Sequence, residues 1–213
     1  MKIQIFAEGN DIDFIERYVY YLFPNKDKSL FIFKKAGGYT TIDKIENDLN
    51  RNTDTDGINL IIFDTDDISK SHGGLVAKQQ YLKKQKEIHG VSFELFLFPN
   101  NSDNGDFEIL LERIINPEHK CLLQCFEGYQ NCINGHLGED KKPKYNNPLQ
   151  KTKMYAFVDS IKKAEKQEYT FKHPTKNKHK VADYLYEDPN FWNLDSEALD
   201  PLKAFLIEHI SKI

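Results

Sequence analysis

The stretch INLIIFDTDD, residues 58–67, joins an apolar run to three closely spaced acids. The apolar run is typical of a strand buried on both faces of a parallel sheet. Like charges this close must be solvated, paired or bound to a cation, so the acids either cap a loop or mark a functional site. The structural alternative is that Asp66 and Asp67 cap the helix that follows.

Three more stretches have strand character and alternate with helical patterns. Strands are expected at residues 3–7, 30–35, 58–63 and 93–98. Helices are expected between them in DFIERYVYYLF, TIDKIENDLN and AKQQYLKKQKEIH, the last as a charged surface helix. This order indicates βαβ units, so the predicted fold class is α/β, with a mostly parallel central sheet of about four strands flanked by helices.

The second half of the chain has a helical pattern. We expect an α/β core over residues 1–115 and a mainly helical C-terminal extension over 116–213, packed on the core as one structural unit. Trp192, in the segment FWNL, is expected to anchor the last helix. The content of 15 Phe and 11 Tyr favours a packed interior over disorder.

The charge is unevenly distributed along the chain. The formal net charge is -4, yet residues 141–180 contain twelve lysines against three acids and carry +9. Such a segment is either a solvated surface or a set of phosphate contacts for nucleic acid. The candidates for phosphate or nucleic-acid binding are Gly9, Lys151, Lys153, Lys176, Lys178 and Lys180.

The sequence also suggests a compartment. It shows no signal peptide and no apolar run long enough to span a membrane. An odd number of cysteines, three, fits a reducing compartment better than a disulfide framework. We therefore expect a cytoplasmic protein without a membrane partner.

Acids at the ends of two predicted strands form the main candidate site. Glu8 ends the first strand, and Asp64 and Asp66 follow the third. If these strands are neighbours, the acids meet at the carboxyl edge of the sheet, where ligands bind in open parallel sheets. Carboxylates from separate strands suit Mg²⁺, and on extended backbone Asp64 and Asp66 would project in the same direction. Gly9 would allow a close approach to phosphate.

These motifs carry a resemblance to a known family. A strand followed by Glu8 and Gly9, and later a strand followed by Asp64-Thr65-Asp66, resembles the Toprim domain of topoisomerases, bacterial primases, ribosomal-RNA maturation nucleases and overcoming-lysogenization-defect nucleases. The resemblance implies that Glu8 acts in acid/base chemistry or metal binding, and that Asp64 and Asp66 hold Mg²⁺ or Mn²⁺.

The nuclease branch of that family implies a second metal ion. Asp106 and Glu108, in NGDFEILLERI, resemble its additional acids, although near a helix start they are equally suited to complementing the helix dipole. Nucleases of this type usually have an acid four residues after the glutamate, where this chain has Ile12 between Asp11 and Asp13. Either aspartate could serve instead, with Asp106 or Glu108, as a ligand of the second ion. Ser69 replaces a glycine that is common after the second aspartate.

A resemblance over most of the chain points to a more specific group. The segments EGNDIDFIERY, KKAGGYTTI, FLFPNNSDNGDFEILLERI and FWNL are similar to a family of small Toprim-like proteins of uncharacterised activity. The resemblance implies metal-dependent phosphodiester hydrolysis on DNA or RNA, with one or two ions and a separately encoded ATPase or defence-system partner. The alternative is a Toprim-like module that binds nucleic acid or protein without catalysis.

A second enzyme class shares part of this pattern. Haloacid-dehalogenase-like phosphatases begin with an apolar strand and DxDx[TV], in which Asp64 would be the nucleophile and Asp66 the acid. Ile68 occupies the usual Thr position, and the motif normally lies on the first strand. Glu8 followed by Gly9 is also unexplained by this class.

Other motifs favour structural roles. Cys121, Cys125, Cys132 and His136 suggest zinc, but their spacing matches no paired CxxC motif, so we expect buried thiols and no zinc. The loop from Gly37 to Tyr39 lacks the Lys-Ser/Thr of a phosphate-binding loop and is expected to be a turn.

Overall fold

A computed structural model describes residues 1–38, 42–148, 150–164 and 184–211. The strands in these ranges are β1 (Ile3–Glu8), β2 (Phe31–Ala36), β3 (Ile58–Asp64) and β4 (Glu94–Phe98). The helices are α1 (Asp11–Leu22), α2 (Ile42–Thr53), α3 (Leu75–His89), α4 (Phe107–Ile114), α5 (Lys120–Gly135), α6 (Gln150–Ala164) and α7 (Asp200–Ile210). Among the helices described, none is both long and apolar enough to cross a bilayer.

The described strands form one parallel sheet in the order β2-β1-β3-β4. The predicted α/β class is confirmed, and the architecture is consistent with a Toprim-like fold. β1 and β3 are neighbours, with Ala7 opposite Ile62. Their carboxyl ends therefore meet at the same edge of the sheet.

Alternate residues of the strands pack against helices on both faces of the sheet. On one face, Phe6, Phe63 and Leu97 belong to a core that includes Leu49 of α2 and Leu82 of α3. On the other face, side chains of α1, α4 and α7 cover the sheet, as shown by the ring contacts Phe14–Phe107, Phe98–Phe107 and Phe96–Phe205. A strand covered on both faces must be apolar throughout, which explains the continuous run in INLIIF.

The chain is divided into two compact units. Met1–Arg113 and Leu194–Ile213 form the first, so α7 groups with the sheet, while Ile114–Asn193 forms the second. In the second unit, Trp192 is buried, donates from Nε1 to the Tyr184 carbonyl at 2.7 Å and forms an antiparallel bridge with Ile115. Trp192 therefore packs within the second unit, whereas α7, the last helix, belongs to the first.

Candidate functional site

Glu8 and Asp64 are the last residues of neighbouring parallel strands. The first and third strands are adjacent, which is the condition under which the sequence places these acids together. The backbone directly after Glu8 turns at Gly9, where φ is +50°, and α1 begins two residues later at Asp11. The acids therefore lie at the carboxyl edge of the sheet.

Asp64 lies in the most acidic surroundings of this edge. Its Oδ1 accepts a hydrogen bond from the backbone N of Phe107, at the start of α4, at 2.9 Å. Burial raises the pKa of Asp64 well above its ordinary value, and neighbouring carboxylates raise it further. Those carboxylates belong to Asp11, Glu8, Asp106 and Glu108. The structure thus brings most of the predicted acids within electrostatic range of Asp64.

Glu8 is a carboxyl group with an unsatisfied oxygen. Its Oε1 is buried and has no hydrogen-bond partner among the residues that the structure describes. Burial raises the pKa of Glu8 from 4.5 to about 7; Lys78 lowers it and Asp66 raises it by smaller amounts. A buried acceptor without a donor favours the protonated form or a bound cation.

Asp66 lies in a different environment from Asp64. The expectation of extended backbone here was wrong, since β3 ends at Asp64 and Asp66 has a φ of +60°. Its Oδ2 accepts from Lys78 Nζ at 2.6 Å and its Oδ1 from Lys70 Nζ at 2.9 Å. Burial raises the pKa of Asp66, but the hydrogen bonds from both lysines hold it below its ordinary value overall.

Thr65, the residue between the two aspartates, holds the loop in place through hydrogen bonds to Gly105. This side chain is fully buried, its backbone N donates to the Gly105 carbonyl at 3.1 Å, and its Oγ1 donates to the same carbonyl at 2.7 Å. Gly105 precedes α4, where Asp106 accepts from the backbone N of Ile109 at 3.0 Å and so caps the helix. Asp106 therefore has the role at the helix start that was the alternative to metal binding. Burial also raises the pKa of Asp106.

The acidic side chains of Asp67 and Asp13 make local contacts outside the cluster around Asp64. Asp67 accepts from the backbone N of Ser69 at 2.8 Å, which closes a local turn several residues before α3 begins at Leu75. The alternative that Asp67 caps the following helix is therefore not what the structure shows. Asp13 lies 3.8 Å from the ammonium of Lys35.

Some of the carboxylate oxygens at this edge are suitable ligands for a hard divalent cation, and others are already occupied. All are carboxylate oxygens, which Mg²⁺ and Mn²⁺ prefer, and Glu8 Oε1 is a buried acceptor with no donor in the described chain. Both oxygens of Asp66 are already bonded to ammonium groups. Within the described ranges, no three His, Cys, Asp or Glu side chains are grouped closely enough to hold a metal ion. Glu8 and Asp64 therefore offer two carboxylates for a cation, and its remaining ligands would have to come from water or substrate.

The predicted phosphate-binding lysines are in three different situations. Lys151 is exposed at the start of α6. Lys153 is only 5% exposed and donates to Glu127 Oε1 at 3.1 Å. The other three lie outside the described residues: Lys176, Lys178 and Lys180.

The prediction of buried cysteines was wrong. Cys121, Cys125 and Cys132 are all free and exposed on α5. None of the residues of α5 is buried, so the thiols share a helix whose apolar side chains are only partly covered. Cys132 Sγ lies 3.9 Å from His136 Nε2.

Two features of this edge were missed from the sequence. Lys78 was read as part of a charged surface helix, yet it is fully buried. Leu75, Lys78 and Leu82 are spaced for one helical face, and this spacing was the signal for a lysine that points inward. Gly38, interpreted as part of a turn, is so close to the site that a Cβ there would lie 3.7 Å from Glu8 Oε2.

Comparison with known proteins identifies the family. No curated protein and no solved structure is significantly similar to the chain. Residues 4–210 match the model of the family described as "Protein of unknown function (DUF3226)". The chain belongs to this family.

Proposed function

We propose that this protein hydrolyses phosphodiester bonds of DNA or RNA with Mg²⁺ or Mn²⁺, at the carboxyl edge of its sheet. The observation that carries the proposal is the pair Glu8 and Asp64, two partly buried acids with raised pKa values at the ends of adjacent parallel strands. Buried like charges weaken the fold, so such a cluster is more typical of a site than of a stabilising feature.

Both acids contribute to the cation site in this proposal, and Glu8 is also the acid that handles protons. Asp64 would hold the cation, because its repulsion with four neighbouring carboxylates is relieved by a positive charge. Glu8, with a pKa of about 7, can take up or release a proton near neutral pH. A divalent ion bound there would supply a Lewis acid for the phosphate and lower the pKa of a bound water.

Nucleic acid is the proposed substrate because of the lysine-rich segment. Residues 141–180 carry +9 within a chain of net charge -4, and Lys151 is exposed there. Such contacts to phosphates are independent of base sequence and weaken with salt. A separately encoded ATPase or defence-system partner and a cytoplasmic location belong to the same proposal.

Metal binding and cleavage should be measured on the same preparations. Calorimetry with Mg²⁺ and Mn²⁺ is paired with cleavage of supercoiled plasmid and single-stranded RNA by wild type, Asp64→Asn and Glu8→Gln. Asp54→Asn is the matched control, since Asp54 is exposed and precedes β3 at the opposite end of the sheet. Saturable binding and cleavage should be lost with Asp64→Asn and kept with Asp54→Asn. Cleavage that survives Asp64→Asn would refute the proposal.

A non-catalytic binding module is the second candidate. It is favoured by the ion pairs that occupy both oxygens of Asp66, and by the lack of a three-ligand metal group within the described ranges. Salt-sensitive nucleic-acid binding without turnover, unchanged by Asp64→Asn, would support this candidate. Turnover of small phosphate esters instead of nucleic acid would indicate a phosphatase.

A further inference from the structure

We infer that the ammonium group of Lys78 takes the place of a metal ion beside Asp66, so that the two aspartates of the DTD motif have different partners. Asp66 is the counter-ion of a buried lysine, and Asp64 with Glu8 forms the cation site. This inference rests on the proposed function, because it assigns the ligands of that same site.

The contacts of Asp66 leave no oxygen for a metal without loss of an ion pair. Lys78 Nζ lies 2.6 Å from Oδ2, and Lys70 Nζ lies 2.9 Å from Oδ1. Lys78 is 0% exposed and Asp66 is 15% exposed, whereas Lys70 is 63% exposed. The pair with Lys78 is therefore an interior contact, and the pair with Lys70 is a solvated one.

The backbone is arranged to make the buried pair. Gly74 N donates to the Thr65 carbonyl at 2.8 Å and to the Asp66 carbonyl at 3.3 Å, which fixes the start of α3 against the loop. Lys78 lies in the first turn of α3, on the same face as Leu82 in the core. The left-handed φ of Asp66 is a conformation that few residues adopt without support from their surroundings.

The energetics favour keeping this pair intact. Breaking a buried ion pair is strongly unfavourable, so a metal ion on Asp66 would bind at the cost of the 2.6 Å contact with Lys78. It would also bring a divalent cation close to a buried positive charge. Lys78 acts electrostatically on Glu8 as well, so the lysine is an internal cation of the acidic edge.

The test compares Mn²⁺ binding to four proteins: wild type, Asp64→Asn, the double variant Asp66→Asn with Lys78→Met, and Lys84→Met. The double variant removes both members of the buried pair, so that neither charge is kept without the other. Lys84→Met is the matched control, because Lys84 is an exposed lysine of the same helix. Calorimetry and the electron paramagnetic resonance signal of free Mn²⁺ give the affinity without reference to activity.

We expect Asp64→Asn to weaken Mn²⁺ binding by about 100-fold or more, and the double variant to bind within about 3-fold of wild type. A double variant that loses Mn²⁺ as fully as Asp64→Asn would overturn the inference and leave the proposed function standing. Wild type without any Mn²⁺ binding would instead refute the proposed function and, with it, the assignment of Asp64 and Glu8 as ligands.

Thermal unfolding without metal tests the ion pair itself. Asp66→Asn alone should unfold about 10 °C below the double variant, because it removes the carboxylate that lies 2.6 Å from a fully buried ammonium. An equal or higher unfolding temperature for Asp66→Asn would show that Lys78 does not depend on Asp66. That result would overturn the inference whether or not the protein binds metal.

Discussion

Replacing Glu8 by Gln should stabilise the protein above neutral pH. Glu8 is a partly buried carboxyl whose pKa is raised from 4.5 to about 7, chiefly by burial. Gln has nearly the same shape and no charge, so it avoids the cost of ionising this group in the folded protein. The gain should be absent at low pH, where Glu8 is itself neutral.

The magnitude follows from the size of the pKa shift. Because the folded pKa is raised, the contribution of Glu8 to stability is complete below pH 4.5 and is lost as the pH rises through about 7. At 1.36 kcal/mol per pKa unit, the wild-type protein should lose about 3 kcal/mol relative to Glu8→Gln between those limits. For a chain of this size, that difference corresponds to roughly 6–12 °C in Tm.

The assay is thermal unfolding followed by circular dichroism in the absence of divalent ions, at about pH 5 and about pH 8. Wild type and Glu8→Gln should have similar Tm values at the lower pH and separate at the higher one. Glu94→Gln is the control, because Glu94 is an exposed acid at the start of β4. Its Tm should follow that of wild type at both pH values.

One outcome would refute the reasoning about this edge of the sheet. If Glu8→Gln were no more stable than wild type at about pH 8, ionised Glu8 would be compensated by contacts other than those seen here. The acids at the strand ends would then not destabilise the fold, and a cation would have no instability to relieve there.

Three further results are expected. At about pH 8, Mg²⁺ at about one hundred times its Kd should stabilise wild type by about 2.7 kcal/mol and leave the Tm of Asp64→Asn unchanged; an equal rise in both would contradict the site. Thr65→Val should cost about 1–3 kcal/mol, since Gly105 N loses its buried acceptor Oγ1, and Thr65→Ser should unfold like wild type. A thiol reagent should titrate all three cysteines in the native protein as fully as after unfolding, and a smaller native count would contradict their exposure.

The parallel sheet was predictable from residue pattern alone, whereas the meeting of its acids depended on the order of the strands. Apolar runs buried on both faces predict strands of a parallel sheet, and the helices between them leave few possible topologies. Once β1 and β3 are neighbours, Glu8 and Asp64 must end at the same edge. The order of these strands was an assumption that only the structure confirmed.

The partners of Asp66 were not predictable in the same way. A lysine within a charged helix reads as a surface residue, because most lysines are solvated. Lys78 is buried because the face of α3 that contains Lys78 and Leu82 packs toward the core. Asp66 reaches Lys78 from a left-handed backbone conformation. The spacing of Leu75, Lys78 and Leu82 indicates the first effect only weakly, against the general tendency of lysines to be exposed. The backbone conformation of Asp66 has no signal in residue spacing.

The cysteines show the converse error. Free cysteines are usually buried, and their spacing on one face of α5 supported that prediction. α5 nevertheless has no buried residue, so the helical pattern was right while the burial was wrong. Helix periodicity states which residues share a face, but not how fully another element covers that face.

The acids that end INLIIFDTDD therefore differ in the charged groups around them. Asp66 has two lysines and a lowered pKa, whereas Asp64 has carboxylate neighbours and a raised one. A protein that only needed to cap a loop would have no reason to keep the second arrangement, because it destabilises the fold near neutral pH. Glu8, with its buried acceptor, adds to the same unfavourable charge. Lys70 and Lys78 compensate the negative charge at the carboxyl edge of the sheet only in part. A divalent cation would neutralise the rest, and this asymmetry is the main physical reason to place a site at Asp64 and Glu8.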